Sequence, residues 1–177
     1  MPSLRAAVVG RLSAASRRFS AASRRFSASA KRTINLNADL AEGYGPWTMT
    51  ADDELLKIVT TANVACGGHA GDANIMAAVL ERAAAHGVSV GAHPGYDDKP
   101  GFGRRVLKME LHEIEHLIAY QVGALLGVAG LVRARQAAGG GGGASVEVTH
   151  VKPHGALSNL ACVDASVAAA ITRGVAG

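Results

Sequence analysis

Four strand-like stretches alternate with helical patterns along the chain, and this alternation limits the fold more than any other feature. Strands are predicted at 33–38, 61–65, 88–92 and 146–151. Helices are predicted at about 52–59, 73–86, 110–136 and 164–173. Repeated strand–helix units are typical of a parallel sheet joined by right-handed crossovers. The chain is therefore predicted to have an α/β fold.

The side chains of two predicted strands favour a barrel over an open sheet. The first strand alternates apolar with polar residues: Ile34, Leu36 and Ala38 against Asn35, Asn37 and Asp39. The fourth has one face that becomes polar towards its end: Val146, Val148, His150 and Lys152. An open doubly wound sheet buries apolar residues on both faces. A (β/α) barrel instead directs polar residues from its strand ends into the mouth where its active site lies.

The length of the chain predicts that this barrel is incomplete. A TIM-like (β/α) barrel takes about 250 residues and about eight strands. Residues 33–177 supply 145 residues and four predicted strands. We therefore expect a truncated barrel, its N-terminal half or somewhat more, and no catalysis by this chain alone.

Residues 1–32 form a separate basic segment. They contain eight Lys or Arg and no Asp or Glu, and Ser-Ala-Ala-Ser-Arg-Arg-Phe occurs twice in succession, at 13–19 and 20–26. An Arg- and Ser-rich, acid-free, amphipathic segment is typical of a mitochondrial transit peptide. The alternative is a disordered basic extension on a cytoplasmic protein. In both cases the folded domain is predicted to be 33–177.

Charge and composition argue against three classes of protein. Without the leader the chain carries ten basic and fourteen acidic residues, so it offers no basic surface for nucleic acid. No apolar run is expected to approach the ~20 residues that span a bilayer, so no membrane contact is predicted. Cys66 and Cys162 lack CxxC spacing, which argues against a thiolate metal site. Cys66 is interpreted as a buried thiol rather than a nucleophile.

Polar, glycine-flanked motifs follow the predicted strands and resemble the LamB/YcsF family, the A-subunit family of prokaryotic-type 5-oxoprolinase. They are Asn37-Ala-Asp39-Leu-Ala-Glu42-Gly43, Asn63-Val-Ala-Cys66-Gly-Gly-His69-Ala-Gly71-Asp72, Gly91-Ala-His93-Pro94, Phe102-Gly103-Arg104 and His150-Val-Lys152-Pro153-His154-Gly155. Their order and spacing agree with the family across 33–177, apart from a lengthened glycine-rich loop. Two positions depart from its pattern: Ala41 stands where glycine is usual, and Gly68 where an aromatic residue is common.

The resemblance implies a barrel of the glycoside hydrolase/deacetylase type. It also implies ATP-dependent ring opening of 5-oxoproline, a lactam, to glutamate together with further 5-oxoprolinase subunits. ATP would then act through the complex. The family extends roughly a hundred residues beyond the region matched here, in keeping with the size of a whole barrel.

Five residues are predicted to be catalytic: Asp39, His69, His93, Lys152 and His154. Asp39 is interpreted as a general base or metal ligand, with a loop cap as the alternative. Lys152 suits neutralisation of an oxyanion or phosphate, and His154 suits proton transfer. His69 and His93 are expected to shape the pocket, although His93 could be a structural histidine.

Five more residues are predicted to bind substrate: Asn37, Glu42, Asn63, Asp72 and Arg104. Arg104 could clamp a substrate carboxylate bidentately, with an ordinary surface arginine as the alternative. Asp72 also suits the N-cap of a helix. Asp39, His69 and His93 form a candidate site for a divalent metal, since one carboxylate and two imidazoles leave an open coordination position.

Two other functions stay open at this point. A metal-dependent deacetylase acting on a sugar or amide would use the same carboxylate and imidazoles. A shortened, non-catalytic protein that binds or assembles with others would need none of them. The two enzymatic readings depend on one geometric expectation, that Asp39, His69, His93 and Lys152 surround a shared opening.

Overall fold

A computed structural model describes residues 34–139 and 145–177. The predicted leader at 1–32 and most of the glycine run at 139–143 lie outside these residues. The elements in chain order are β1 (Asn37–Leu40), α1 (Asp52–Leu56), β2 (Thr61–Ala65), α2 (Ala73–His86), β3 (Ser89–His93), a 3-10 turn (Lys99–Gly101), α3 (Leu111–Ala138), β4 (Val148–Val151), α4 (Gly155–Ala161) and α5 (Ala165–Ala176).

The four strands form one parallel sheet in the order β1-β2-β3-β4, so neighbours in the chain are neighbours in space. In a doubly wound sheet this order reverses at a switch point. In a (β/α) barrel each strand follows the last around the wall. The prediction of a TIM-like α/β fold is therefore confirmed, and the described strands form an open portion of such a barrel.

The two faces of the sheet differ in chemistry. The outer face carries fully buried apolar side chains, which join α2 and α3 in one core: Leu40, Val64, Val90 and Ala92. The inner face carries polar side chains: Asn37, Asp39, Asn63, His93, His150 and Lys152. Alternation along each strand separates the two sets. This separation places the reactive groups inside the barrel wall.

Local signals set the bounds of α2. The Asp72 side chain accepts hydrogen bonds from the backbone N–H groups of Asn74 and Ile75, at 2.9 and 3.0 Å. The helix ends at Gly87, whose φ of 66° is left-handed. The first feature agrees with the N-cap suggested for Asp72, and a left-handed glycine is typical of the residue that follows a helix.

Other predicted bounds were wrong. β1 begins at Asn37 because its pairing with β2 starts opposite Thr61, and Ile34 before it is 79% exposed. α1 ends at Leu56 rather than 59. The pattern Thr50-Ala-Asp-Asp53 is typical of a helix start, but the Thr50 hydroxyl bonds to the Asp52 side chain. β3 and β4 begin one and two residues later than predicted, and α4 was not predicted.

Helix α3 corrects two expectations. Its most apolar 18-residue window has a mean hydropathy of 1.6, so by length and composition it could cross a membrane, contrary to the sequence prediction. Such a helix is weak grounds for a membrane, since helices packed on a sheet pass the same test. The helical period predicts Leu111 and Leu126 on its buried face, but each is 41% exposed. Gln121 and Ala129 are buried instead.

Candidate active site

Six polar side chains from the ends of all four strands meet on the inner face. β1 supplies Asp39, and the segment after it supplies Glu42. The turn after β2 supplies His69, β3 ends in His93, and the segment after β4 supplies Lys152 and His154. The carboxyl ends of parallel strands lie at one edge of a sheet, where barrel enzymes have their sites. Contacts bring Asp39, His69, His93 and Lys152 together, as predicted, and the shared opening around them stays a prediction.

Four of these side chains form a buried group, which we call the His/Glu group: Glu42, His69, His93 and His154. They are 8%, 1%, 1% and 4% exposed, respectively. One nitrogen or oxygen from each lies within 4.8 Å of the other three, an arrangement that could hold a metal ion. Burying a carboxylate among imidazoles is costly unless a proton or metal balances it. The composition of the His/Glu group is therefore that of a functional site rather than of a hydrophobic core.

The backbone around Ala41 brings Glu42 into the group. Ala41 has a φ of 61°, in the left-handed region where a side chain is disfavoured. The segment that follows β2 stabilises this turn, because Gly71 N–H donates a hydrogen bond of 2.7 Å to the Gly43 carbonyl. Asp72 accepts from Gly45 N–H at 3.0 Å. Glycine, usual in the family at position 41, would adopt this conformation without strain.

Backbone carbonyls fix the tautomers of two histidines. His93 Nδ1 lies 2.6 Å from the Lys152 carbonyl, and His154 Nε2 lies 2.8 Å from the Phe102 carbonyl. A carbonyl only accepts hydrogen bonds, so both of these nitrogens carry hydrogen. In the neutral rings, His93 Nε2 and His154 Nδ1 therefore present lone pairs. These two atoms are 3.0 Å apart.

His69 completes the group through a single polar contact. Its ring stacks on His154 with centroids 3.7 Å apart, and its Nε2 lies 3.3 Å from Glu42 Oε1. Its Nδ1 is buried and has no hydrogen-bond partner among the described residues. Burial lowers the pKa of His69, and burial together with the nearby His69 lowers the pKa of His154 to about 4. Both rings are therefore neutral at pH 7.

A buried amide that the sequence analysis missed fixes the turn after β3. Gln121 of α3 is fully buried, donates to the Gly95 carbonyl at 2.7 Å and accepts from Gly95 N–H at 3.1 Å. This pair of bonds holds the backbone that follows His93. The only sequence signal was a polar residue within an apolar helical stripe.

Asp39 and Lys152 form an ion pair beside the His/Glu group. Lys152 Nζ lies 2.6 and 2.8 Å from the two Asp39 oxygens, and His93 Nε2 lies 3.4 Å from Asp39 Oδ2. Burial raises the pKa of Asp39, but contacts with His93, Lys152 and Asn63 outweigh it and hold the pKa well below its usual range. The Asp39 side chain is 33% exposed and that of Lys152 is 47% exposed, so the pair borders solvent.

An amide network lies below this pair. Asn63 Nδ2 donates to Asp39 Oδ1 at 2.7 Å and to Asn37 Oδ1 at 2.5 Å. His150 Nε2 lies 2.8 Å from Asn63 Oδ1. The His150 ring covers Gly91, where any Cβ would collide with it. Asn37 and Asn63, predicted to bind substrate, therefore lie one layer beneath the ion pair.

Two more residues predicted to bind substrate, Asp72 and Arg104, are not members of the His/Glu group. Asp72 Oδ1 accepts hydrogen bonds from the N–H groups of Asn74 and Ile75 at the start of α2, and its Oδ2 accepts from Gly45 N–H, contacts that fit the alternative of an N-cap. Arg104 is exposed, with its guanidinium carbon 5.6 Å from the centre of the Phe102 ring, and forms no ion pair within 34–139 and 145–177. Phe102 itself packs edge-on against His69 and His154.

The candidate metal ligands also need correction. His69 and His93 belong to the His/Glu group as predicted, but Glu42 and His154 complete it and Asp39 does not. Asp39 is instead neutralised by Lys152. Sequence spacing could not distinguish the two carboxylates, since both stand at the carboxyl end of β1, Asp39 within it and Glu42 just after it.

Cys66 is unsuited to nucleophilic attack. It is 2% exposed, its thiol lies 3.1 Å from the Val64 carbonyl, and burial raises its pKa to about 12. A thiol with such a pKa stays protonated at neutral pH. The interpretation of Cys66 as a buried thiol agrees with this geometry.

Comparisons with known proteins give a consistent result. The model of the LamB/YcsF family matches residues 34–177. The A subunit of 5-oxoprolinase from Azoarcus sp. strain BH72 is 53% identical over 142 residues, which are 80% of this chain and 51% of that protein. The corresponding protein of Methylococcus capsulatus, with the same name, is 49% identical over 144 residues, 81% of this chain and 51% of that protein.

A solved structure is also similar. The lactam utilization protein from Thermus thermophilus superposes with a TM-score of 0.71 at 40% identity, covering 81% of this chain and 53% of that one. This chain thus spans about half the length of the curated relatives it matches.

Proposed function

Because the chain belongs to the LamB/YcsF family, we propose that it contributes the catalytic strand ends of a hydrolase that opens the cyclic amide of 5-oxoproline to give glutamate. The proposal includes further 5-oxoprolinase subunits as partners. It is supported by relatives that are named as the A subunit of that enzyme. The observation that carries it is the Asp39–Lys152 ion pair, open to solvent beside the buried His/Glu group.

Lactam hydrolysis needs a cation near the carbonyl oxygen and a group that accepts a proton from water. Lys152 supplies the cation, and its half-exposed ammonium can reach an oxyanion while Asp39 orients it. Asp39 was interpreted as a general base, but a carboxylate with such a lowered pKa is a weak one. The pKa of His154 is lowered to about 4, so this buried histidine is a weak base as well.

ATP belongs to the proposal only through the assembled enzyme. The described residues contain no glycine-rich loop followed by Lys and Ser or Thr, the pattern of a phosphate loop. They offer no ATP site of that type. The proposal places ATP in the assembled complex, as the family resemblance implies.

The experiment combines this chain with the partner subunits, ATP and 5-oxoproline, and measures glutamate. Asp39→Asn should lower the rate about 10²–10⁴-fold, because Lys152 loses the group that orients it. Asp97→Asn, at an exposed aspartate outside the site, should leave the rate unchanged. Unchanged turnover by Asp39→Asn would overturn the proposal. By itself the 177-residue chain is expected to show no ATP-dependent cleavage.

A second candidate is metal-dependent hydrolysis of a sugar or amide acetyl group, which the His/Glu group favours. A divalent ion there would polarise a carbonyl or activate water. Activity that disappears with a chelator and needs no ATP would support this function. Full activity in chelator with a strict need for ATP would exclude it.

We propose that residues 1–32 direct the protein to mitochondria, with a cytoplasmic location as the alternative. The support is their composition: eight basic and no acidic residues among abundant serine and alanine. A fluorescent protein fused behind residues 1–32 should enter mitochondria. Diffuse cytoplasmic fluorescence would contradict the assignment.

A further inference from the structure

We propose that Glu42, His69, His93 and His154 bind one transition-metal ion of the zinc class. The coordinating atoms are Glu42 Oε1, His69 Nε2, His93 Nε2 and His154 Nδ1. This inference goes beyond the proposed reaction, because occupancy of the site can be measured without any substrate. It also names the ligand atoms and the class of metal.

The distances between these atoms fit a cation at their centre. Glu42 Oε1 lies 3.3, 3.8 and 3.6 Å from the coordinating nitrogens of His69, His93 and His154. The nitrogens of His93 and His154 are 3.0 Å apart. Zinc bonds of about 2.0–2.2 Å in a tetrahedron place the ligand atoms roughly 3.3–3.5 Å from one another. The side chains therefore already lie near coordinating positions.

The tautomers of the histidines provide an independent argument. Hydrogen bonds to the Lys152 and Phe102 carbonyls leave His93 Nε2 and His154 Nδ1 with lone pairs directed at each other and at Glu42. Without a cation between them, these lone pairs and the carboxylate repel. Metal-bound histidines characteristically donate their other N–H to a carbonyl or carboxylate, which fixes the ring and its tautomer.

His69 supports the same conclusion from the opposite side. Its ring is 1% exposed, and its Nδ1 has no hydrogen-bond partner among the described residues. The only polar contact of this buried ring within the described part of the chain is made by Nε2, towards Glu42. An ion at that position would compensate for the burial of both side chains.

The donor set determines the class of metal. Three imidazole nitrogens and one carboxylate oxygen suit Zn²⁺ and related ions such as Co²⁺ and Ni²⁺. Mg²⁺ and Ca²⁺ prefer oxygen donors. Asp39 lies 3.4 Å from His93 Nε2 on the exposed side. The ion would reach solvent on that side. The Asp39 carboxylate is already paired with the Lys152 ammonium and is not counted among the ligands.

The test uses the full chain with any affinity tag removed. The protein is treated with chelator, dialysed, and titrated with Zn²⁺ and with Co²⁺. We expect one ion per chain by elemental analysis, an intense visible Co²⁺ absorption typical of tetrahedral coordination, and a melting temperature that rises with Zn²⁺. A tenfold excess of Mg²⁺ should not displace either ion. No binding would overturn the proposal and leave a proton shared by His93 and His154 as the compensating charge.

Variants identify the ligand atoms. His154→Gln and Glu42→Gln should each weaken Zn²⁺ binding at least about 10–100-fold, whereas His112→Gln, at an exposed histidine of α3, should not. Asp39→Asn should retain the ion, and its loss there would support the Asp39 triad instead. Unchanged affinity in both His154→Gln and Glu42→Gln would overturn the assignment.

Circular dichroism of each metal-free variant distinguishes loss of binding from loss of folding. The Zn²⁺-dependent shift in the melting temperature of the unaltered chain tests the site even where a variant fails to fold.

These results are independent of lactam hydrolysis. Zn²⁺ bound at one ion per chain with no glutamate formed by the assembled enzyme would refute the proposed reaction and keep the metal site. Glutamate formed by the assembled enzyme, together with no Zn²⁺ binding by this chain, would refute the metal site and keep the proposed reaction.

Discussion

The outer and inner faces of one sheet show how a small domain separates stability from chemistry. On the outer face Leu40, Val64 and Val90 are fully buried against helices. On the inner face, Asp39 and Lys152 border solvent and meet a buried carboxylate and three imidazoles. Strand alternation alone allows these two environments to exist one residue apart. Substitutions on the two faces should therefore affect different measurements.

The largest expected effect is on catalysis from the inner face. Lys152→Met removes the cation beside Asp39, so we expect glutamate formation by the assembled enzyme to fall about 10²–10⁴-fold. Its free energy of unfolding should change by less than about 1 kcal/mol, because a half-exposed ion pair adds little stability. Lys108→Met, at an exposed lysine of the loop before α3, is the matched control. Equal losses in both variants would contradict the division between faces.

The next largest effect is on the free energy of unfolding, from substitutions in the hydrophobic core that packs on the outer face. Leu80 of α2 is fully buried, and Leu80→Ala should lower the free energy of unfolding by about 2–5 kcal/mol. Leu131 is also a leucine but is 50% exposed, so Leu131→Ala should lower the free energy of unfolding by less than about 0.5 kcal/mol. Urea unfolding of both variants measures the difference. Similar costs would mean that the outer face is not the main source of stability.

A coupled pair tests packing on the inner face. A methyl group at Gly91 would collide with the His150 ring, so Gly91→Ala should destabilise the fold by about 1–3 kcal/mol. Removing the ring as well, in Gly91→Ala/His150→Ala, should recover part of that loss, since neighbouring substitutions are not additive. Strict additivity of the three unfolding energies would show that the ring does not rest on Gly91.

The smallest expected effect lies at the turn between the faces. Ala41 has a φ of 61°, which Gly adopts without strain, so Ala41→Gly should stabilise the protein by about 0.5–1 kcal/mol. The greater freedom of glycine in the unfolded chain reduces this gain. Thermal unfolding measures it, with Ala137→Gly in the last turn of α3 as the control that should be destabilising. A loss of stability in Ala41→Gly would contradict the strain inferred at this turn.

Parts of the fold that depend on local signals could be predicted from the sequence. The cap at Asp72, the glycine that ends α2 and the bounds of β2 all follow from neighbouring residues. β1 could not be placed correctly, because residues 34–36 alternate as a strand does, although the paired register with β2 starts only at Asn37. α4 was missed because seven residues carry too little periodicity to be recognised.

The site divides in the same way. Motifs after each strand identified His69, His93, Lys152 and His154, since strand ends meet wherever a parallel sheet forms. The choice between Asp39 and Glu42 depended on the unusual backbone of Ala41, which sequence shows only as a departure from glycine. Gln121 was missed because its partner, Gly95, is distant in the chain and is bonded only through its backbone.

The two oxygens of Asp72 have a wider consequence. Oδ1 caps the N-terminus of helix α2, while Oδ2 accepts a hydrogen bond from Gly45 N–H in the segment that follows Glu42. Random mutagenesis scored by lost activity should therefore recover Asp72 as often as genuine active-site positions, although it touches no reactive group. Such a survey would identify Asp72, a structural residue, as a catalytic one unless folding were measured in parallel.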